Sequence, residues 1–125
     1  MNNKITVLVV EDEDIISKAL KTKLEKNDFI IELARNGNDG VEFAKTKKPN
    51  IILLDLIMPK MSGFEVLEKL KADPTTKEIP VLILSNLDDS SYIKKARDFG
   101  VAEYLVKTKT NLEEIKTKIH EYTKK

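Results

Sequence analysis

The sequence predicts an α/β fold, a doubly wound parallel sheet of five strands with the pattern (βα)5. Five short apolar runs recur along the 125 residues, stretches with helical periodicity separate them, and prolines and glycines fall between these elements. Strands that are joined through helices lie parallel and have right-handed connections. We therefore expect one domain that spans residues 1–125.

The five apolar runs are the predicted strands. They cover residues 5–10, 29–34, 51–54, 81–84 and 102–106. The first four are rich in Val, Ile and Leu, which is typical of strands that helices cover on both faces. The last run contains Glu103 and Tyr104 and is less apolar, so we expect it nearer an edge of the sheet.

Apolar residues recur at helical spacing after each strand, and these stripes predict the buried faces of five helices. The stripes are Ile16, Ala19, Leu20 and Leu24; Val41 and Ala44; Phe64, Leu67 and Leu70; Ile93 and Ala96; and Leu112, Ile115, Ile119 and Tyr122. Helix starts are predicted where a side chain can accept hydrogen bonds from free N–H groups of a first turn. These starts are Asn36, Ser62, Asp88 and Thr110.

Charge and composition exclude several classes of function. The 22 basic and 21 acidic residues nearly cancel, so no overall field favours direct binding of nucleic acid or of a membrane surface. The absence of cysteine excludes disulfides and thiolate metal sites. No apolar stretch approaches the ~20 residues that span a bilayer, and the N-terminus does not resemble a signal peptide. A cytoplasmic protein is expected.

Polar residues follow four of the predicted strands at the carboxyl edge of the sheet, where ligands bind in this fold class. They are Glu11, Asp12, Asp55, Ser85 and Lys107. Clustered carboxylates repel one another, and Mg²⁺ relieves that repulsion because it prefers oxygen ligands. An aspartate can attack a phosphoryl group, while a lysine and a hydroxyl stabilise the phosphoryl oxygens. The pattern indicates Mg²⁺-dependent phosphoryl chemistry at Asp55.

Each of these residues also has a simpler interpretation. Asp55 could be an ordinary turn acid, Ser85 a helix cap and Lys107 a surface lysine. Glu13 and Asp14, which continue the first acidic run, are interpreted as solvated acids that favour the start of a helix. The order of the residues and their places at strand ends favour the site interpretation for the others.

The sequence resembles the CheY-like receiver domains of two-component signalling over nearly its whole length. The matching pieces are Val9-Val10-Glu11-Asp12, Leu53-Leu54-Asp55-Leu56-Ile57-Met58-Pro59, Met61-Ser62-Gly63-Phe64, Leu84-Ser85 and Tyr104-Leu105-Val106-Lys107. The resemblance implies a flavodoxin-like strand order of 2-1-3-4-5. It also implies a response regulator and not an enzyme, because such a domain catalyses only its own phosphorylation and slow autodephosphorylation.

The resemblance implies which of the matching residues bind Mg²⁺ and how. Asp55 would be the phosphoacceptor and a ligand of Mg²⁺. Asp12 would bind the metal directly, Glu11 would act mainly through water, and the backbone carbonyl of Ile57 would be a further ligand. The first acid is Glu11 where the family commonly has aspartate, which changes its reach but not its charge.

The resemblance also implies a switch. Ser85 and Lys107 would contact the phosphoryl oxygens, and Ser85 would move toward the phosphoryl group. Tyr104 would follow inward and remodel the face formed by the fourth helix, the fifth strand and the fifth helix. Asn86 stands where the family usually has a small residue, and Thr108 where it often has proline, so a cis X-Pro bond is not available after Lys107.

The implied partners are a sensor histidine kinase or a histidine phosphotransfer protein, and an unidentified downstream protein that reads the switch. The protein would be a monomer or a weak dimer on activation. The alternative is a pseudo-receiver, a binding module that is not phosphorylated. A Mg²⁺-dependent phosphatase is less consistent with the sequence, because the related D-x-D nucleophile follows the first strand, whereas Asp55 follows the third and Ile57 replaces the companion acid.

Overall fold

A computed structural model describes residues 4–26 and 29–124, without the side chains of residues 14–17. In these ranges five strands and five α-helices alternate. The strands are β1 (Thr6–Val10), β2 (Ile30–Ala34), β3 (Ile51–Leu54), β4 (Val81–Ser85) and β5 (Glu103–Val106). The helices are α1 (Asp14–Glu25), α2 (Gly37–Lys47), α3 (Gly63–Ala72), α4 (Ser90–Asp98) and α5 (Leu112–Thr123). A short 3-10 turn (Lys107–Lys109) follows β5.

The strands form one parallel sheet in the order β2-β1-β3-β4-β5, which confirms the predicted fold class and strand order. β5 lies at an edge, as its lower apolar content predicts. The register places Val10, the last residue of β1, beside Ala34 of β2 and Leu54 of β3. The carboxyl ends of neighbouring strands are therefore level, and the residues that follow them share one rim.

Two apolar layers cover the sheet. Alternate strand residues such as Val9 and Leu53 pack with α1 and α5 on one face, and residues such as Leu8 pack with α2, α3 and α4 on the other. All four residues of β3 are buried, as expected of a central strand that helices cover on both sides. No helix in the described part of the chain has the length and apolar character needed to cross a membrane.

Two of the four predicted helix caps are correct and two are one residue early. Asn36 and Ser62 cap α2 and α3, whereas Asp89 caps α4 and Asn111 caps α5. In both corrected cases two neighbouring residues can each cap the helix. Asp88 and Asp89 are the same residue type, and Thr110 and Asn111 both carry a side-chain oxygen that can accept a hydrogen bond. The Asn111 side chain accepts a hydrogen bond from the N–H of Glu114, whose side chain reaches back to Asn111, and this capping box selects the later start.

The predicted stripe on α1 is partly wrong. Leu24 is fully buried and Leu20 is half-buried, but Ala19 is exposed. Ala19 precedes Leu24 by five residues. At 3.6 residues per turn this spacing places Ala19 on a different side of the helix from Leu24 and the buried face. The predicted contact of Ile16 falls outside the described side chains.

Candidate functional site

Backbone hydrogen bonds extend the sheet one residue past β1 and β3 and so fix two acidic residues. The N–H of Glu11 donates to the carbonyl of Ala34 at 2.9 Å, and the N–H of Asp55 donates to the carbonyl of Val10 at 3.0 Å. Glu11 is 2% exposed and Asp55 is 6% exposed. Two ionisable acids are thus held on neighbouring strands, away from bulk water.

The predicted acidic cluster is present. Glu11, Asp12 and Asp55 each offer a carboxylate oxygen, and these oxygens lie within 4.8 Å of one another. Asp12 is half-buried, while the other two are buried. Carboxylates this close repel one another, and their separation suits a divalent cation that takes oxygen ligands.

Lys107 supplies a positive charge to this cluster from the end of β5. Its Nζ lies 2.7 Å from Oε1 of Glu11 and 3.5 Å from Oδ2 of Asp55. Burial acts to lower the pKa of Lys107, but Glu11 and Asp55 outweigh it and raise that pKa above its usual value. Sequence reasoning identified this lysine as a site residue but did not identify Glu11 as its nearer partner.

Glu11 carries the least satisfied polar atom of the site. Its Oε2 is buried and has no hydrogen-bond partner within residues 4–26 and 29–124. Burial, and then the neighbouring Asp55, raise the pKa of Glu11 against the opposing influence of Lys107. A buried carboxylate oxygen without a partner is costly, and a cation ligated by the three acids would satisfy it.

Close packing of α3 shapes the loop that carries Asp55. The N–H of Ile57 donates to Oδ1 of Asp55 at 3.2 Å, and the N–H of Gly63 donates to the carbonyl of Leu56 at 3.0 Å. A Cβ on Gly63 would lie 2.4 Å from the carbonyl oxygen of Asp55. Only glycine fits at this position. The glycine is part of the matching sequence motif, but the sequence did not show that the backbone of Asp55 is the reason for it. The metal role of the Ile57 carbonyl stays a prediction.

Leu87 joins the two predicted switch residues through its backbone. Its N–H donates to Oγ of the fully buried Ser85 at 3.2 Å, and its carbonyl accepts from the Tyr104 hydroxyl at 2.6 Å. Burial raises the pKa of Tyr104, which keeps the phenol protonated as a donor. The contribution of Leu87 was missed because any residue type supplies a backbone N–H and carbonyl.

The structure therefore brings Glu11, Asp12, Asp55 and Lys107 into one cluster at the sheet edge. Ser85, at the end of β4, is linked through Leu87 to Tyr104 on β5. The peptide bond that follows Lys107 is trans, as expected without proline at position 108.

A five-stranded parallel sheet of this order, with acids and a lysine at its carboxyl edge, defines the class of CheY-like receiver domains. The sequence profile of the response regulator receiver domain matches residues 7–120, and the chain belongs to this family. Receiver domains are signalling modules of two-component systems and not conventional enzymes. They generally interact with histidine kinases and with downstream effectors.

Curated relatives agree with this assignment. The chain is 34% identical to Protein PilH of Pseudomonas aeruginosa over 101 residues, which are 81% of this chain and 84% of PilH. It is 37% identical over 101 residues to response regulator PleD of Caulobacter vibrioides, again 81% of this chain but 22% of PleD. The chain thus corresponds to most of one relative and to less than a quarter of the other.

Solved structures agree with the fold. The receiver domain of the Francisella response regulator 1452 has a TM-score of 0.89 and 27% sequence identity, with 97% of this chain and 98% of that chain covered. The Mn²⁺-bound form of response regulator Rcp1 has a TM-score of 0.77 and 28% identity, with 94% of this chain and 90% of that chain covered.

Proposed function

We propose that this chain is a response-regulator receiver that accepts a phosphoryl group on Asp55, from a phosphohistidine, in a Mg²⁺-dependent reaction. The observation that carries the proposal is the buried Asp55 carboxylate beside Lys107 and beside an oxygen of Glu11 that has no hydrogen-bond partner among the described residues. The donor is a sensor histidine kinase or a histidine phosphotransfer protein. Residues 1–125 act as one receiver domain in the cytoplasm.

Glu11, Asp12 and Asp55 are the residues that would hold Mg²⁺, with the backbone carbonyl of Ile57 as a further ligand. The fit rests on the three clustered acids and on Oε2 of Glu11, which lacks a hydrogen-bond partner in the part of the chain that the structure describes. The similar structure of Rcp1 is a Mn²⁺-bound form, which supports a divalent cation in this family. When bound, the cation would offset the negative charge of Asp55 and of the phosphoryl oxygens.

The transfer step uses side chains at the ends of three strands. An oxygen of Asp55 attacks phosphorus, a P–O bond forms as the P–N bond of the phosphohistidine breaks, and the electron pair returns to the imidazole nitrogen. Lys107 offers its charge to one phosphoryl oxygen. Ser85 donates a hydrogen bond from its hydroxyl to another phosphoryl oxygen, a role open to it because its Oγ acts as an acceptor toward the N–H of Leu87.

The added charge on Asp55 would draw the Ser85 hydroxyl toward it. Because Leu87 contacts both Ser85 and Tyr104, this shift reaches Tyr104 and the face formed by α4, β5 and α5. A downstream protein would read that face. The protein would act as a monomer or as a weak dimer on activation.

Intact-protein mass spectrometry tests the proposal. The protein is incubated with Mg²⁺ and a small phosphodonor, and wild type is compared with Asp55→Asn and with Asp98→Asn, a control at an exposed aspartate on α4. We expect one added phosphoryl group on wild type and on the control, none on Asp55→Asn, and none after chelation. Wild type that gains no adduct with any donor would favour the pseudo-receiver, which binds partners without phosphorylation.

A further inference from the structure

We propose that the outer edge of β2 is a pairing surface for a second copy of this chain, and that the charge of Glu32 prevents this pairing. The surface is the side of β2 (Ile30–Ala34) that faces away from β1, and we call it the β2 edge. Pairing there would join two sheets, and it is independent of phosphorylation at Asp55.

The β2 edge offers free backbone groups. β2 is the first strand in the order β2-β1-β3-β4-β5, so no strand of the described chain lies on its other side. The N–H of Ile30 donates to the carbonyl of Ile5, on the side of β1, at 2.9 Å. Backbone groups of successive strand residues point to opposite sides, so those of Ile31 and Leu33 point away from β1. Each of these two residues presents an N–H and a carbonyl to a further strand.

The side chains of β2 suit such an added strand everywhere except at its centre. The strand reads Ile30, Ile31, Glu32, Leu33 and Ala34, so one charged residue interrupts an otherwise apolar run. Ile30 is 42% exposed, and its branched side chain favours an extended backbone. An apolar edge strand is a template for pairing with another chain, and charged side chains are a common means of preventing it.

No contact in residues 4–26 and 29–124 explains the charge of Glu32. The residue is half-buried, and no hydrogen bond or ion pair within these ranges holds its carboxylate. A partly desolvated charge without a partner costs folding free energy that an apolar side chain at the same position would not cost. The charge therefore has a disadvantage within one copy of the chain, and its advantage must lie outside the fold of a single copy.

The advantage is clear when two copies are placed edge to edge. Around a twofold axis, two β2 edges would pair as antiparallel strands. With the axis at Glu32, Ile31 of one copy would exchange backbone hydrogen bonds with Leu33 of the other, and the two Glu32 residues would lie directly opposite each other. The Cα atoms of residues opposed in this way are about 4.5 Å apart, and like charges there are destabilising.

The neighbouring registers are also unfavourable. They would place Glu32 opposite Ile30 or opposite Ala34 of the second copy. The added strand would then remove water from the carboxylate without giving it a partner. Glu32 therefore opposes pairing in each register that matches the free backbone groups of Ile31 and Leu33.

Sedimentation velocity over a range of protein concentrations, without a phosphodonor, measures the pairing. Wild type should stay monomeric. Glu32→Val should form a dimer with a dissociation constant at least about tenfold below the limit set by wild type, and Glu32→Gln, which removes the charge but keeps a polar amide, should have a smaller effect. The matched control is Glu42→Gln, which removes the same charge from an exposed position on α2 and should stay monomeric.

Amide hydrogen exchange, measured by NMR, shows whether a dimer forms through the β2 edge. In wild type the amides of Ile31 and Leu33 should exchange faster than that of Ile30, which donates to the carbonyl of Ile5. In the Glu32→Val dimer the amides of Ile31 and Leu33 should exchange at least about tenfold more slowly than in wild type. Adding Ile30→Lys to Glu32→Val returns a charge to the same face of the strand and should restore the monomer.

Four results would overturn this role for Glu32. They are a monomer for both Glu32→Val and Glu32→Gln, a dimer without slower exchange at Ile31 and Leu33, equal dimerisation of Glu42→Gln, and pairing of wild type through the β2 edge. If Glu32→Val is insoluble, the more conservative Glu32→Gln is the deciding variant.

Discussion

Two apolar side chains stand where polar residues could orient a water molecule near a phosphorylated Asp55. Ile57 follows Asp55 by two positions and is 55% exposed, and Leu87 follows Ser85 by two positions and is half-buried. Neither side chain can donate or accept a hydrogen bond, so neither can position water for attack on an acyl phosphate. We therefore expect these two residues to make hydrolysis of an acyl phosphate slow.

We expect the acyl phosphate on Asp55 to last minutes or more. Ile57→Asn and Leu87→Glu should each shorten that lifetime severalfold without preventing phosphorylation, because each introduces a group that can orient water. Ile57→Leu, which keeps the position apolar, is the control. The measurement is the decay of the phosphorylated mass after the donor is removed. A wild-type lifetime of seconds, or unchanged lifetimes in both polar variants, would contradict the argument.

Gly63 and Gly37 begin α3 and α2 at the same helical position, but they face different neighbours. A Cβ at Gly63 would meet the backbone of Asp55 at 2.4 Å, whereas a Cβ at Gly37 would meet the side chain of Met61 at 2.8 Å. Backbone cannot move aside as a flexible side chain can. Gly63→Ala should cost about 2–3 kcal/mol of unfolding free energy and Gly37→Ala about 1 kcal/mol or less. Denaturant unfolding measures both, and equal costs would refute this explanation.

At the scale of helices and strands, the sequence was most informative where burial alone determines structure. The run at 51–54 is apolar throughout because both faces of β3 are covered, so its bounds were predicted correctly. The starts of α4 and α5 were predicted one residue early, because adjacent residues are equally good caps and only the final hydrogen bonds decide between them. Residue type alone therefore does not predict which of two adjacent residues caps a helix.

The contact between β5 and α5 contains a hydrogen bond to an ionisable carboxyl group. The Tyr122 hydroxyl donates to Oε2 of Glu103 at 2.6 Å, and Lys118 lies 3.4 Å from the same oxygen. The Tyr122 hydrogen bond, and then Lys118, hold the pKa of Glu103 below its usual value. A lowered folded-state pKa stabilises the fold above the unfolded-state pKa, and this stabilisation is lost as pH falls through the folded-state pKa.

Tyr122→Phe should therefore lower the unfolding free energy by about 1–2 kcal/mol at pH 7, and the difference should shrink at an acidic pH below the lowered folded-state pKa of Glu103. Urea unfolding at the two pH values measures this. Tyr92→Phe, at an exposed position on α4, is the control and should show little effect at either pH. An equal loss at both pH values would show that the Glu103 charge is not involved.

At the scale of the whole molecule, the strand order explains why residues far apart in the chain meet. Glu11 and Lys107 are 96 positions apart, yet both follow strands whose carboxyl ends reach the same rim. The members of the site could be predicted, because the end of each strand fixes where the next residue lies. The pairing could not be predicted, because it depends on side-chain reach and burial, which place Lys107 at 2.7 Å from Glu11 and 3.5 Å from Asp55.

The same site should reduce the stability of the whole fold. It buries two acids, Glu11 and Asp55, beside Lys107, and within the described part of the chain this lysine is their one salt-bridge partner. Asp55→Asn removes one charge and leaves the shorter ion pair intact. We expect this variant, in a chelator, to be more stable than wild type by about 1 kcal/mol, or about 4 °C in Tm.

Mg²⁺ should reverse this order of stability. A cation present at 100 times its dissociation constant stabilises the folded state by about 2.7 kcal/mol. Wild type should gain that stability, while Asp55→Asn, which lacks one ligand charge, should gain much less. Thermal unfolding with a chelator and with excess Mg²⁺ measures both effects, with Asp98→Asn as the control. If Asp55→Asn were the less stable protein in the chelator, then Asp55 would be favourably paired with Lys107, and the repulsion between the buried acids would not govern the stability of this fold.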